Sequence, residues 1–285
     1  MTRRLASNAL TGYALIAAPL ILLVTLIFYP AAQAVVRTLL VDPDVVSSGI
    51  TAGRYSDFIA NPIARSNLWF TVWVTLVSVF LLFAVCFPLS LYLRFSTSRI
   101  AGAVNVLALF PLFVPGVILA FALIRYLGPR GTVDIFLRLV FGFEGFVSPY
   151  LKPSGVVFAL VWDHIPFTVL VLTAGLRQVE DNVIEAARDV GASGWRVFVQ
   201  IILPLIQRPG LIAFCLNSIG IFGSFTIPYL LGPAAPQMMG VYMQQTYTEY
   251  LDKTGAETQA VIMFAMCAVV GVLYVRTVTR RRGDR

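Results

Sequence analysis

Six long apolar runs decide what this chain can become. Crossing the hydrocarbon of a bilayer takes about 20 mainly apolar residues, wound as a helix so that every backbone polar group is satisfied internally. Runs of that kind lie at about 13–36, 68–93, 101–127, 155–176, 209–231 and 257–278. Composition agrees: 58% of the 285 residues are hydrophobic, 12% are charged and the mean hydropathy is +0.83. A soluble domain carries about a quarter charged residues, so the polar groups here cannot coat a globule in water. The sequence predicts an all-α membrane protein with six transmembrane helices in a single transmembrane domain over 1–285. A soluble enzyme, a coiled coil and a disordered chain are excluded.

The first run follows Arg3 and Arg4 and reaches Ala32-Gln33-Ala34, a pattern that mimics a secretory signal with its cleavage site. It exceeds the apolar core of about 7–15 residues usual for such signals, and five further spans come after it. It reads as an uncleaved first helix.

Basic residues set the orientation. With the N-terminus inside, the inner stretches hold Arg3, Arg4, Arg94, Arg99, Arg177, Arg188, Arg196, Arg208, Arg276, Arg280, Arg281, Arg282 and Arg285. These 13 basic residues face 5 acidic ones (net +8), against 8 and 9 elsewhere (net −1). The bias predicts both termini in the cytoplasm. It also accounts for the overall +7 without nucleic acid, the Arg280-Arg281-Arg282 run serving as a lipid-headgroup anchor.

The scarce residue types remove most chemistry. Cys86, Cys215 and Cys267 all sit in apolar runs, which argues against a disulfide framework or thiolate metal site. His164 is the one histidine, so no His-rich metal site or His-based triad has partners. Neither Lys152 nor Lys253 ends a Gly-x-x-x-x-Gly pattern, so the chain has no phosphate-cradling loop of the Walker A kind. No catalytic residue, metal ligand or cofactor of its own is expected, and any ATP consumed must bind another subunit.

The outer loops carry short structure: around Tyr55-Ser56-Asp57-Phe58, a non-spanning helix over 133–140, and another near Met243–Tyr247. Met238, Met239 and Met243 read as packing rather than a copper site. Tyr242, Tyr247 and Tyr250 read first as an interfacial aromatic belt, with contact to a partner as the alternative.

The inner stretch 177–208 is the most specific feature. It is too polar to span and too regular for a linker. Asp181 is placed to cap a helix beginning at Asn182. Gly191 suits the left-handed position that ends it. Ser193 is placed to cap a second helix from Gly194 to about Ile202, with Trp195, Phe198, Val199 and Ile202 on its apolar side, and Pro204 is expected to interrupt it. The product is a helical elbow at a glycine, and Ala186 and Ala187 let another surface approach closely.

Here Glu185-Ala186-Ala187, then Gly191, then Ile201-x-Leu203-Pro204 resembles the EAA loop of ATP-binding cassette (ABC) importer permeases, with the family spacing E-A-A-x-x-x-G, nine residues, I-x-L-P. More broadly, residues 10–280 look like binding-protein-dependent permeases of the spermidine/putrescine type, through Trp162-Asp163-His164-Ile165-Pro166-Phe167, Gly191-Ala192-Ser193 and the run from Phe225 to Gly232. The resemblance implies the type I importer permease fold in a bacterial inner membrane. Residues 177–208 would form a cytoplasmic coupling loop, with Glu185, Ala186, Ala187, Gly191 and Ser193 at the contact with an ATPase. The implied partners are two ATP-binding subunits holding ATP and Mg, a second homologous permease that is a different chain, and an extracytoplasmic solute-binding protein. Relatives on the same scaffold carry sugars, phosphonates, opines or ferric iron.

Polar groups inside spans are costly and therefore suggest function. Trp162, Asp163 and His164 lie in the fourth span, where Pro166 frees a backbone carbonyl. A carboxylate beside an aromatic ring suits an ammonium group of a polyamine. The alternative is that Asp163 pairs with Arg125 or caps a broken helix. In the fifth span, Gly220 and Gly223 read first as close packing, with a helix that breaks beside a translocation path before Pro228 as the alternative, whereas Asn217, Ser224 and Thr226 are the candidates for the substrate path. Pro111, Pro115 and Gly116 predict a kink in the third. The competing class is an ion-gradient-driven transporter with Asp163 as the ion site; a visible inverted repeat would favour it, and none is seen.

Overall fold

The computed structural model describes residues 15–42 and 49–279. The basic residues near both ends, including Arg3, Arg4 and Arg280 to Arg282, lie outside it, as does Tyr13 at the start of the first apolar run. Among the described residues every regular element is helical, apart from an isolated bridge between Leu40 and Ile50. Five helices are long and apolar enough to cross a membrane, and a bent pair makes a sixth candidate.

Two compact units divide the chain. One takes in Met1–Pro62 and Met243–Phe264, the other Ile63–Tyr242 and Ala265–Arg285. In the first unit, α1 (Leu15–Leu39) contains a wide π turn at Val24–Phe28 and exposes its Leu, Ile and Val side chains. α2 (Gly53–Ala60) comes next, with Tyr55 bonded to Thr38 at 2.7 Å. Arg37 meets Glu257 at 3.5 Å.

In the second unit, α3 (Pro62–Phe95) is a 34-residue helix. Its buried face carries Asn67 and Thr71, which accept the backbone N–H groups of Gln237 and Met239 at 2.9 and 2.7 Å. α4 (Arg99–Phe113) and α5 (Gly116–Leu127) come next, then α6 (Thr132–Phe141), the short helix expected near 133–140. The third apolar run is therefore not one kinked rod. Arg99–Phe113 and the helical stretch Gly116–Phe141 meet at 108°. Pro115 cannot donate to the ladder, Val114 turns extended, and Leu119 and Ala120 are drawn into the core with Ile221, Ile227 and Leu231.

α7 (Pro153–Leu176) runs straight through Pro166. α8 (Asp181–Asp189) and α9 (Gly194–Phe222) form the elbow. Pro204 does not end the second helix, contrary to the sequence reading. The turn before it, Phe198–Ile202, is a π turn in which Leu203 N–H reaches Phe198 O, and this wider ring accommodates the proline. The fifth apolar run accordingly begins earlier than expected and stops at Phe222. Gly223 to Phe225 break it, and α10 (Thr226–Leu231) is separate. α7 and α9 pack so closely that a Cβ on Gly175 would lie 2.5 Å from Pro209 Cβ. α11 (Met239–Thr248) and α12 (Lys253–Thr279) complete the described chain.

Candidate functional site: the helical elbow and the polar groups of the spans

The elbow is built from local signals and then clamped by packing. Gly191 has φ +85°, the left-handed conformation that L residues avoid. Its N–H reaches Arg188 O at 2.9 Å while Ala192 N–H reaches Ala187 O at 3.0 Å. That pair of bonds is the Schellman termination of a helix, satisfying carbonyls that would otherwise be orphaned. Ser193 starts α9, its hydroxyl accepting Arg196 N–H at 3.4 Å. Asp181 does not cap α8. Glu180 occupies that position without a side-chain bond, and the Asp181 carboxylate instead meets Arg94 at 2.6 Å. The physical reason is competition: a guanidinium within reach is a stronger partner than a backbone N–H.

One side of the elbow is buried. Ile184, Val197 and Ile202 are at most 6% exposed and share a cluster with Leu82 and Cys86 of α3 and Leu172 and Leu176 of α7. The other side is open. Glu185, Ala186, Gly191 and Ser193 are exposed and Ala187 is half-buried. Val183 and Val190 are exposed, and Trp195 is 74% exposed with its ring 5.6 Å from that of Phe198. Sequence reading placed Trp195 on the inner side; the residue that holds the helix down is Val197, missed because the π turn shifts the helical phase. The exposed side thus mixes small and apolar residues with charged ones, Glu185, Arg188, Asp189 and Arg196 among them.

The polar residues of the spans do not all meet at one place. Trp162 is half-buried and lines an apolar groove of about 760 Å³ between α3 and α7, with Trp73, Val77, Phe158 and Lys152. Asp163 is not among the residues lining that groove. Its carboxylate lies 3.6 Å from His164 Nδ1, so Arg125 is not its partner and it caps no break. His164 Nδ1 also lies 2.9 Å from Leu160 O, and Nε2 faces α9 at Gly220, where an added Cβ would stand 3.3 Å away. Gly220 thus has a packing role, leaving room for the imidazole.

Asn217 is 1% exposed and works as an interhelical tie. Its amide donates to Thr168 Oγ1 at 3.0 Å and to Ala213 O at 2.7 Å, and the Thr168 hydroxyl donates to His164 O at 2.9 Å. That network joins α7 to α9, while the Asn217 amide oxygen is buried without a hydrogen-bond partner. Ser224 and Thr226 are half-buried in and just after the break between α9 and α10. Gly240 packs against it, a Cβ there standing 3.0 Å from Ser224 O. Among the described residues no group of His, Cys, Asp and Glu is arranged to hold a metal.

Long apolar helices joined through a glycine elbow fit a multi-span membrane protein. Residues 86–283 match the model of the family of binding-protein-dependent transport system inner membrane components. The chain belongs to that family and is a permease component of an ABC importer. It is 28% identical to SmoG, the sulfoquinovosyl glycerol transport system permease protein of Agrobacterium fabrum, over 95% of this chain and 91% of that protein. It is 25% identical to PotB, the spermidine/putrescine transport system permease protein of Escherichia coli, over 79% of this chain and 82% of that protein. Its fold matches a chain of a bacterial alginate ABC transporter solved with an alginate pentasaccharide-bound periplasmic protein, with TM-score 0.81 at 14% identity, covering 97% and 96% of the two chains.

Proposed function

We propose that the chain forms half of a translocation path driven by two separate ATPase subunits, with the elbow as their docking element. The reading rests above all on the elbow itself: an inner face buried against α3 and α7, an exposed outer face that mixes small and apolar side chains with charged ones, and a glycine turn holding the angle between them. ATP and Mg bind the ATPases, and their closure pushes on Glu185, Ala186, Ala187, Gly191 and Ser193. The positive-inside bias supports an elbow and both termini on the cytoplasmic side, and the family supports a multi-pass chain in a bacterial inner membrane. A second, different permease chain supplies the other half of the path, and an extracytoplasmic solute-binding protein delivers the cargo.

A polyamine is the first cargo reading, drawn from the spermidine/putrescine resemblance and from Asp163, a partly exposed carboxylate on a mainly apolar helix. A sugar derivative is the second, favoured by the wider coverage of the match to SmoG. Phosphonate, opine and ferric iron come after these on the shared scaffold.

Gly191→Asp and Glu185→Lys test the docking role. Both chains should reach the membrane in normal amount and lose ATPase co-purification and ATP-dependent uptake of radiolabelled spermidine or of a sulfoquinovosyl glycerol probe. Normal ATPase binding by both variants contradicts it. Uptake by the purified chain alone under an ion gradient, with no ATPase present, makes it an autonomous transporter instead.

A further inference from the structure

We infer that Arg94 is a positioning residue that makes α3 move with the elbow, an inference that rests on the docking role proposed above. Arg94 stands in the last turn of α3, 82 to 87 positions before its acceptors. Its Nε donates to Leu176 O at 3.3 Å, and its Nη2 donates to Val179 O at 3.0 Å and to Asp181 Oδ1 at 2.6 Å. Leu176 is the last residue of α7, Val179 sits in the connector 177–180, and Asp181 is the first residue of α8. One guanidinium thus fastens the end of one helix, the connector and the start of the elbow to a fourth element.

The side chain suits this task. A guanidinium is planar and carries five donors in a fixed fork, so it serves several acceptors at once where an ammonium is a point charge. The Arg94 side chain is only 16% exposed, and its cation lies 5.1 Å from the Phe95 ring centroid. Two of the three acceptors are backbone carbonyls, one of them at a helix C-terminus that attracts a cation. The ion pair is the lesser part, since Asp181 is 67% exposed and screened by solvent. Directly beneath, Leu176 and Val179 are buried in the cluster that also holds Leu82, Cys86, Ile184 and Val197.

The connector 177–180 is the place where a push on α8 could dissipate by bending. Arg94 closes that route. Displacement of the elbow then travels into both α7, through the chain, and α3, through the guanidinium. The elbow and two spans become one lever.

The test uses the full chain in lipid nanodiscs with its ATPase subunits, its native cysteines replaced and spin labels at Tyr92→Cys on α3 and Asp189→Cys on α8. The label separation is read without nucleotide and after trapping with ATP and vanadate. The parent should show one narrow separation common to both states. Arg94→Ala should broaden it and make it differ between states while ATPase subunits still bind; Arg94→Lys should fall between. Asp181→Asn should behave as the parent, and the swap Arg94→Asp with Asp181→Arg should not restore the narrow separation, because carbonyls cannot be swapped. If Arg94→Ala does not accumulate, Arg94→Gln reads the same effect. A narrow, state-independent separation in Arg94→Ala or Arg94→Gln overturns the inference, as does rescue by the swap. A parent that binds no ATPase subunit sinks the docking role and this inference with it, whereas a parent that binds them with no effect of Arg94 sinks only the inference.

Discussion

Two interruptions of the helical ladder show what local sequence can and cannot set. At Gly191 the turn is made by one left-handed residue, a pair of Schellman bonds and a serine that starts the next helix. At Val114 and Pro115 the chain turns by 108°. The first geometry is contained in the residue types. The second is not: a proline removes a donor and disfavours helix before it, but leaves the angle open. Pro166, inside a continuous helix, and Pro204, absorbed by a π turn, make the same point. At Pro115 the angle is set by the packing of α5, whose Leu119 and Ala120 are buried among Ile221, Ile227 and Leu231.

The comparison can be broken most forcefully at the frame that carries the elbow. Gly175→Val adds branched carbon where even a Cβ would stand 2.5 Å from Pro209. It should separate α7 from α9 and cost about 3 kcal/mol, seen as a large drop in the thermal unfolding midpoint in detergent. Next comes Gly191→Ala. Nothing lies within 4 Å of its new Cβ, so the cost is backbone strain alone, about 1–2 kcal/mol. Hydrogen exchange should rise at the amides of Gly191 and Ala192 and hardly at all beyond α8 and the start of α9. Ser193→Ala should be milder, at the low end of about 0.5–2 kcal/mol, because the capping bond is long at 3.4 Å. Faster exchange of the Arg196 amide is the measurement. Smallest of all should be Pro115→Ala, shifting the midpoint by less than about 1 kcal/mol equivalent. Spin labels on α4 and α5 should report an unchanged bend. A straightened third span would show that the proline, not the packing of Leu119 and Ala120, holds the angle.

Much of the candidate site was legible for the same reason that Gly191 was. Helix ends, left-handed turns and caps are decided within a few residues, so Gly191 and Ser193 could be read directly. Asp181 could not, because its choice between a backbone N–H and a guanidinium depends on where α3 ends. Asn217 shows the limit for spans. A polar residue on an apolar helix signals that something must satisfy it, and the sequence does not say whether that is cargo or a neighbouring threonine. Here the amide N–H groups find Ala213 O and Thr168, 49 positions away, and the amide oxygen finds no partner.

By itself the sequence determined that the chain spans a membrane several times and that a glycine elbow interrupts the run of spans. Hydrocarbon thickness and backbone sterics impose those outcomes on the residues concerned without reference to neighbours. Only the tertiary structure decided the 108° bend, the closing of Asn217 into a helix tie and the reach of Arg94 to two carbonyls and a carboxylate. Each of these depends on which surfaces meet, and distant surfaces meet only once the helices have packed.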